Sequence, residues 1–360
     1  NSDIKRIFVI FILLAIVSSA YNSTSIQDFL QFITRYGKIF FLTAIGKSIS
    51  KITTIDHIVS VTTIFNLLNL VLNTLWYFEI SLLQNKYLGT VDFAVGVFGD
   101  ALYQAFFSSI VIILNLLVLY DKKIISKTKI FTIITAAIQL IFSFTFHYYF
   151  VFLFALIIAL ISFYDFEFKK VFIISLSGIG FFLLITQLPI INSYLPKINN
   201  SNSFFSSIQA LTIISPKAQS YKNAFSGEYQ NGLQQFVGVG PGQGGSFISL
   251  NNKTRIAENY FNIYLYFSEK LRAEGSITTL PNTGIITLKS ELGYLGLILF
   301  IYFLSFIILN LKKNKNNIYA FLGIFCIYLF ILENVLADYL QHSLIPILTF
   351  ILSGYGFSKK

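Results

Sequence analysis

The sequence predicts an all-α integral membrane protein of about ten transmembrane helices, with one large, partly helical outer loop before the last three spans. Three observations predict it. Hydrophobic residues make up 55% of the chain and charged residues 12%, whereas soluble domains carry about a quarter charged residues. Apolar runs long enough for membrane helices recur along the chain. Lysine and arginine clusters fall at alternate connections between those runs, as topology bias requires.

The runs place helices over residues 7–20, 28–45, 58–80, 103–120, 129–147, 148–164, 171–187, 291–311, 318–333 and 343–357. The first has no small-residue cleavage pattern and reads as a span, not a removable signal. The fifth and sixth form a tight hairpin with its tip at Phe146-His147-Tyr148-Tyr149. Residues 1–187 hold spans one to seven, 188–290 the loop and 291–360 the last spans. The pairs Lys5-Arg6, Lys47/Lys51, Lys122/Lys123, Lys169/Lys170, Lys312/Lys313 and Lys359/Lys360 then fall on one side, the cytoplasmic one. Both termini are expected there, in a bacterial inner membrane, with the loop facing the periplasm. The chain begins at Asn1 and contains no methionine.

The formal charge of +10 invites a nucleic-acid partner. The distribution excludes it, because the basic residues sit between spans and not on one face. One cysteine and three scattered histidines offer neither a disulfide framework nor a metal-ligand set. No metal or cofactor is expected.

A loop of roughly 100 residues inside a multi-span protein is where function concentrates. Over residues 188–285 it carries seven Lys/Arg against four Glu, a balance suited to a phosphate-bearing ligand. Its sharpest motif is Gly238-Val239-Gly240-Pro241-Gly242-Gln243-Gly244-Gly245-Ser246. Glycines allow close backbone approach and anion-binding turns. The motif is neither a dinucleotide fingerprint nor a phosphate loop of the Gly-Lys-Ser/Thr kind. Residues 255–272 read as an amphipathic helix on the membrane surface. Within the spans, Arg35 and Lys38 share a helix face at a depth where charge is costly and suggests function. His147 stands at the hairpin tip.

Two elements resemble the O-antigen polymerase and O-antigen ligase superfamily of bacterial surface-polysaccharide assembly. The first is Phe236-Val237-Gly238-Val239-Gly240-Pro241-Gly242, matching the family's loop turn. The second runs from Pro281-Asn282-Thr283-Gly284 to Glu291-Leu292-Gly293-Tyr294-Leu295-Gly296, matching the element that leads into the next span. Asn282 stands where the ligases carry a histidine; an amide can orient a hydroxyl but cannot take its proton. That departure leans toward polymerase. The resemblance implies a metal-independent glycosyltransferase that polymerises polyprenyl-diphosphate-linked oligosaccharide into O-antigen or capsule-type polysaccharide. It implies membrane lipid and a chain-length regulator as partners. Arg35, Lys222, Arg255, Arg272, Gly238, Gly240, Gly242 and His147 are the expected diphosphate and substrate binders. Glu274, Asn282 and Glu291 are the expected catalytic residues. The alternatives are a ligase acting on lipid A-core and a lipid-linked sugar transporter or flippase.

Overall fold

The computed structural model describes residues 2–83, 101–123, 126–143, 146–164, 221, 224–225, 230–243, 283–314, 317–336, 340 and 344–357. Among them every regular element is helical. In chain order these are α1 Ser2–Asn22, α2 Ile26–Ile52, α3 Ile55–Leu83, α4 Ala101–Lys122, α5 Lys127–Phe142 and α6 Phe146–Tyr164. They continue with α7 Gly232–Val237, α8 Gly284–Lys312, α9 Ile318–Leu336 and α10 Leu344–Gly356. Five segments are long and apolar enough to cross a membrane: Ser2–Asn22, Ile55–Leu75, Leu102–Lys122, Gly284–Lys312 and Ile318–Val335. The chain is therefore a helical, multi-pass membrane protein. The expected spans at 171–187 and the helix at 255–272 lie outside the described residues.

Two boundaries differ from expectation. Helix α5 ends at Phe142 and α6 begins at Phe146, so residues 146–149 open α6 and are not the tip of the hairpin. Ser143 closes α5, its N–H bonded to Gln139 O and its hydroxyl to Leu140 O at 2.7 Å. Tyr148 is then buried in α6, and the Tyr149 hydroxyl donates back to the end of α5. The second correction is α8, which begins at Gly284 and not at Glu291. Thr283 caps it, its hydroxyl accepting the Ile286 N–H, and Ile285-Ile286 continue the apolar pattern into the loop.

The chain divides into two compact units. The first comprises Asn1–Ala44, Lys197–Ile307 and Phe330–Pro346. Its core is aromatic. Phe11 of α1 stacks on Phe32 of α2, and Phe32 on Tyr36, with ring centroids 5.6 and 4.4 Å apart. Phe40 reaches Phe303 of α8 at 4.4 Å. Phe8 lies over Gly37, where a Cβ would press on its ring. Such ring pairs add to burial, and they pack α1 and α8 against α2.

The second unit comprises Ile45–Pro196, Ile308–Leu329 and Ile347–Lys360. Helices α9 and α10 cross through small residues: a Cβ on Gly323 or Gly356 would crowd the facing backbone. Close approach through glycine is a usual solution where lipid supplies no hydrophobic drive between helices. Helices α3, α4 and α5 share a buried amide seam. Asn66, Asn69 and Asn73 recur along one face of α3 and meet Gln104 of α4 and Thr135 and Gln139 of α5. Gln139 donates to Asn66 O and Oδ1 at 3.0 Å and accepts from Asn69. Gln104 accepts from Asn73 at 2.8 Å and donates to Gln139 O at 3.0 Å. Asn66 donates to Thr135 at 2.9 Å. In an apolar medium each unmade bond would cost more than in water, so this shared network specifies how the helices register. Gln139→Leu removes the shared partner of Asn66, Asn69 and Gln104. We expect it to lower stability in detergent by about 1–3 kcal/mol, read as a fall in melting temperature, while Ser60→Ala on the exposed face leaves it unchanged.

Candidate functional site

Helix α8 is broken from within. Gly293 has φ 67° and ψ −166°, outside any helical conformation. A helix carbonyl normally accepts the N–H four residues on. A break at 293 therefore releases Ser290 O and Glu291 O, deep in an apolar element where both need new donors.

The glycine turn supplies them. Asn231 opens α7 with a reciprocal capping box to Gln234. The helix ends at Gly238, at φ 82°, where the Gly238 N–H still bonds Gln234 O at 2.8 Å. The chain then runs back along the break. Val239 N–H donates to Ser290 O at 2.8 Å and Gly240 N–H to Glu291 O at 3.2 Å. Gly240 and Gly242 also have positive φ, 105° and 74°. The fit is reciprocal. A Cβ on Gly238 would collide with the Glu291 carbonyl, and one on Gly293 with the Phe236 carbonyl. Each glycine is required both for its backbone angle and for the space it leaves.

Helix α1 closes the third side. Ser18 donates to Glu291 O at 3.1 Å. Asn22 donates to Gly238 O at 3.0 Å and accepts from Gln234 at 2.9 Å. A fourth contact comes from the loop: Gln230 donates to Ser290 O at 3.2 Å. At the start of α8, Tyr221 donates to Val335 O at 2.6 Å and accepts from Thr283 at 3.0 Å. Burial pushes the Tyr221 hydroxyl above its ordinary value, outweighing the opposing Thr283 bond, so it stays a neutral donor.

The structure brings Gly238, Gly240, Gly242 and Glu291 together. The N–H groups of Gly238 and Gly240 point at protein carbonyls, so these glycines build the site through docking and not by holding an anion with those donors. Glu291 is fully buried. Arg35 is half-buried on α2, in the same unit. His147 lies in the first turn of α6, in the other unit, its side chain outside the described residues. Lys222, Arg255, Arg272, Glu274 and Asn282 also lie outside them. Among the described residues no group of three His, Cys, Asp or Glu could hold a metal.

Sequence reasoning missed Ser18, Asn22, Gln230 and Gln234, and gave Lys289 no role. Lys289 is fully buried. Its ammonium donates to Gln230 Oε1 at 2.6 Å and to Ala224 O. It lies 4.8 Å from the Tyr294 ring centre and 5.8 Å from that of Phe225. A lysine two residues before Glu291, in a span, was the available signal.

No protein-family model matches the chain, and no curated protein matches it.

Gly293→Ala and Gly238→Ala should each undock the turn. The expected result is a loop newly open to limited proteolysis near residues 236–243, with the helical circular dichroism of the spans retained.

Proposed function

We propose that this protein polymerises polyprenyl-diphosphate-linked oligosaccharide at the outer face of a bacterial inner membrane. One observation carries the reading. The two elements that resemble the O-antigen polymerases, 236–242 and 291–296, are distant in sequence yet dock on one another through paired glycines and backbone bonds. Their docking into one physical unit gives a reason for both elements to occur in one chain in that order.

In this reading the ten spans put the loop outside and both termini in the cytoplasm. A hydroxyl of the incoming repeat attacks the anomeric carbon of the growing chain. The new C–O bond forms as the bond to the diphosphate breaks, and the polyprenyl diphosphate leaves with the electron pair. The hydroxyl proton passes to a carboxylate, for which Glu291 and Glu274 are the candidates, with Asn282 orienting the acceptor. A carboxylate suits this role when its affinity for protons is raised toward neutrality. Arg35, Lys222, Arg255 and Arg272 bind the diphosphate as charge develops there. A chain-length regulator and membrane lipid complete the assembly.

The test is reconstitution of purified protein with a lipid-linked repeat unit. A ladder of repeat multiples on a gel is the expected product. Transfer to a lipid A-core acceptor with no ladder would make the protein a ligase, and neither product would count against transfer altogether. Arg255→Ala and Arg272→Ala should each remove the ladder while insertion and folding persist; wild-type product from both would sink the diphosphate clamp. Chelation of divalent metal should leave the ladder unchanged, and its loss would contradict a reaction run on cationic side chains alone.

A further inference from the structure

Among the described residues Lys289 is the only lysine or arginine with no solvent exposure. An ammonium inside a span is costly, and such residues are kept for a purpose. Among the described residues its partners are neutral: the Ala224 carbonyl, the Gln230 amide oxygen and two aromatic faces. Glu291 is two positions along the same helix, a spacing at which side chains do not face each other. Among the described residues the charge is therefore met by oriented oxygens and ring faces and not by a carboxylate.

The Gln230 amide is the link. It accepts from Lys289 through Oε1 and donates through Nε2 to Ser290 O at 3.2 Å. That same carbonyl takes the Val239 N–H at 2.8 Å. Lys289, Gln230, Ser290 O and Val239 form one chain of bonds from the side chain of α8 to the glycine turn. A cation at one end polarises the amide and strengthens the bond it donates. Without the ammonium, Gln230 Oε1 and Ala224 O lose their partner where water is scarce.

We infer that Lys289 is a positioning residue of this site: acting through Gln230, it holds the glycine turn in register on the broken helix. The inference rests on the polymerase reading for its effect on turnover, but not for its effect on the turn. It predicts that the residue governs how substrate is held and contributes less to the reacting step.

The experiment uses the full purified chain with Lys289→Met, Gln230→Leu and the double variant. Amide hydrogen exchange is measured over 230–243, and initial rates with a lipid-linked repeat unit. Each single change should speed exchange at Val239 and Gly240 by roughly tenfold or more. The double variant should add little, because both changes cut one chain of bonds. KM should rise by a similar factor, with kcat changed by less than about threefold. Wild-type exchange in folded Lys289→Met, or fully additive effects, would overturn the inference. If Lys289→Met does not fold, Gln230→Leu decides alone: wild-type exchange at Val239 and Gly240 overturns it. A wild-type protein that makes no polymer would remove the polymerase reading and leave the exchange result to judge the turn.

Discussion

The break at Gly293 is the constraint on which the docking of the glycine turn in the first unit depends. A straight apolar helix would satisfy its own backbone and offer nothing to a loop. By releasing Ser290 O and Glu291 O, the break creates two strong acceptors in a medium that does not tolerate them bare. Val239, Gly240, Ser18 and Gln230 all bond to these two oxygens. An irregular backbone within a span is stable only where protein or a cavity surrounds it. Here the wall is α1, α7 and the glycine turn. The turn has its shape because the break has its own, and the two glycines at the contact are interchangeable neither with each other nor with alanine.

The second unit solves the same problem of polar groups in apolar surroundings by different means. Its amides are contributed by regular, unbroken helices and pair among themselves. Gln139 serves five bonds through one side chain and its own carbonyl. Among the described residues the seam leaves the buried Asn73 Oδ1 without a partner, and its neutral amides suit a framework. The site in the first unit instead buries a lysine and a glutamate, Lys289 and Glu291, within one turn of a helix just before its break.

Much of the fold was legible in the sequence. Apolar runs located α1, α3, α4, α6, α9 and α10, because a membrane span needs little beyond length and hydropathy. The start of α8 was misplaced because Lys289, with Thr287 and Ser290 beside it, made the residues before Glu291 read as loop. The α5–α6 turn was misplaced because Phe146, Tyr148 and Tyr149 suit an interface and a helix start equally well. The glycine motif was legible as a turn, since only glycine accommodates its angles. Where its N–H groups point was not, because that depends on acceptors created by a backbone break elsewhere. Ser18 and Asn22 gave no signal at all. They lie 273 and 216 residues from Glu291 and Gly238, their partners, and a serine and an asparagine at a helix end are ordinary residues until something docks there. The spacing of Asn66, Asn69 and Asn73 was visible, and only the periodicity of polar residues within an apolar helix would have exposed it.

The central claim is that the glycine turn seats on the broken helix. A direct measurement is disulfide formation between Val239→Cys and Ser290→Cys in membranes, in a Cys326→Ser background. Two residues joined by a backbone hydrogen bond of 2.8 Å place their Cα atoms within the usual reach of a disulfide, about 4.4–6.8 Å. The account predicts rapid cross-linking under mild oxidation, and its loss when Gly293 is also changed to alanine. Free thiols at both positions in folded protein, or cross-linking indifferent to Gly293, would contradict it.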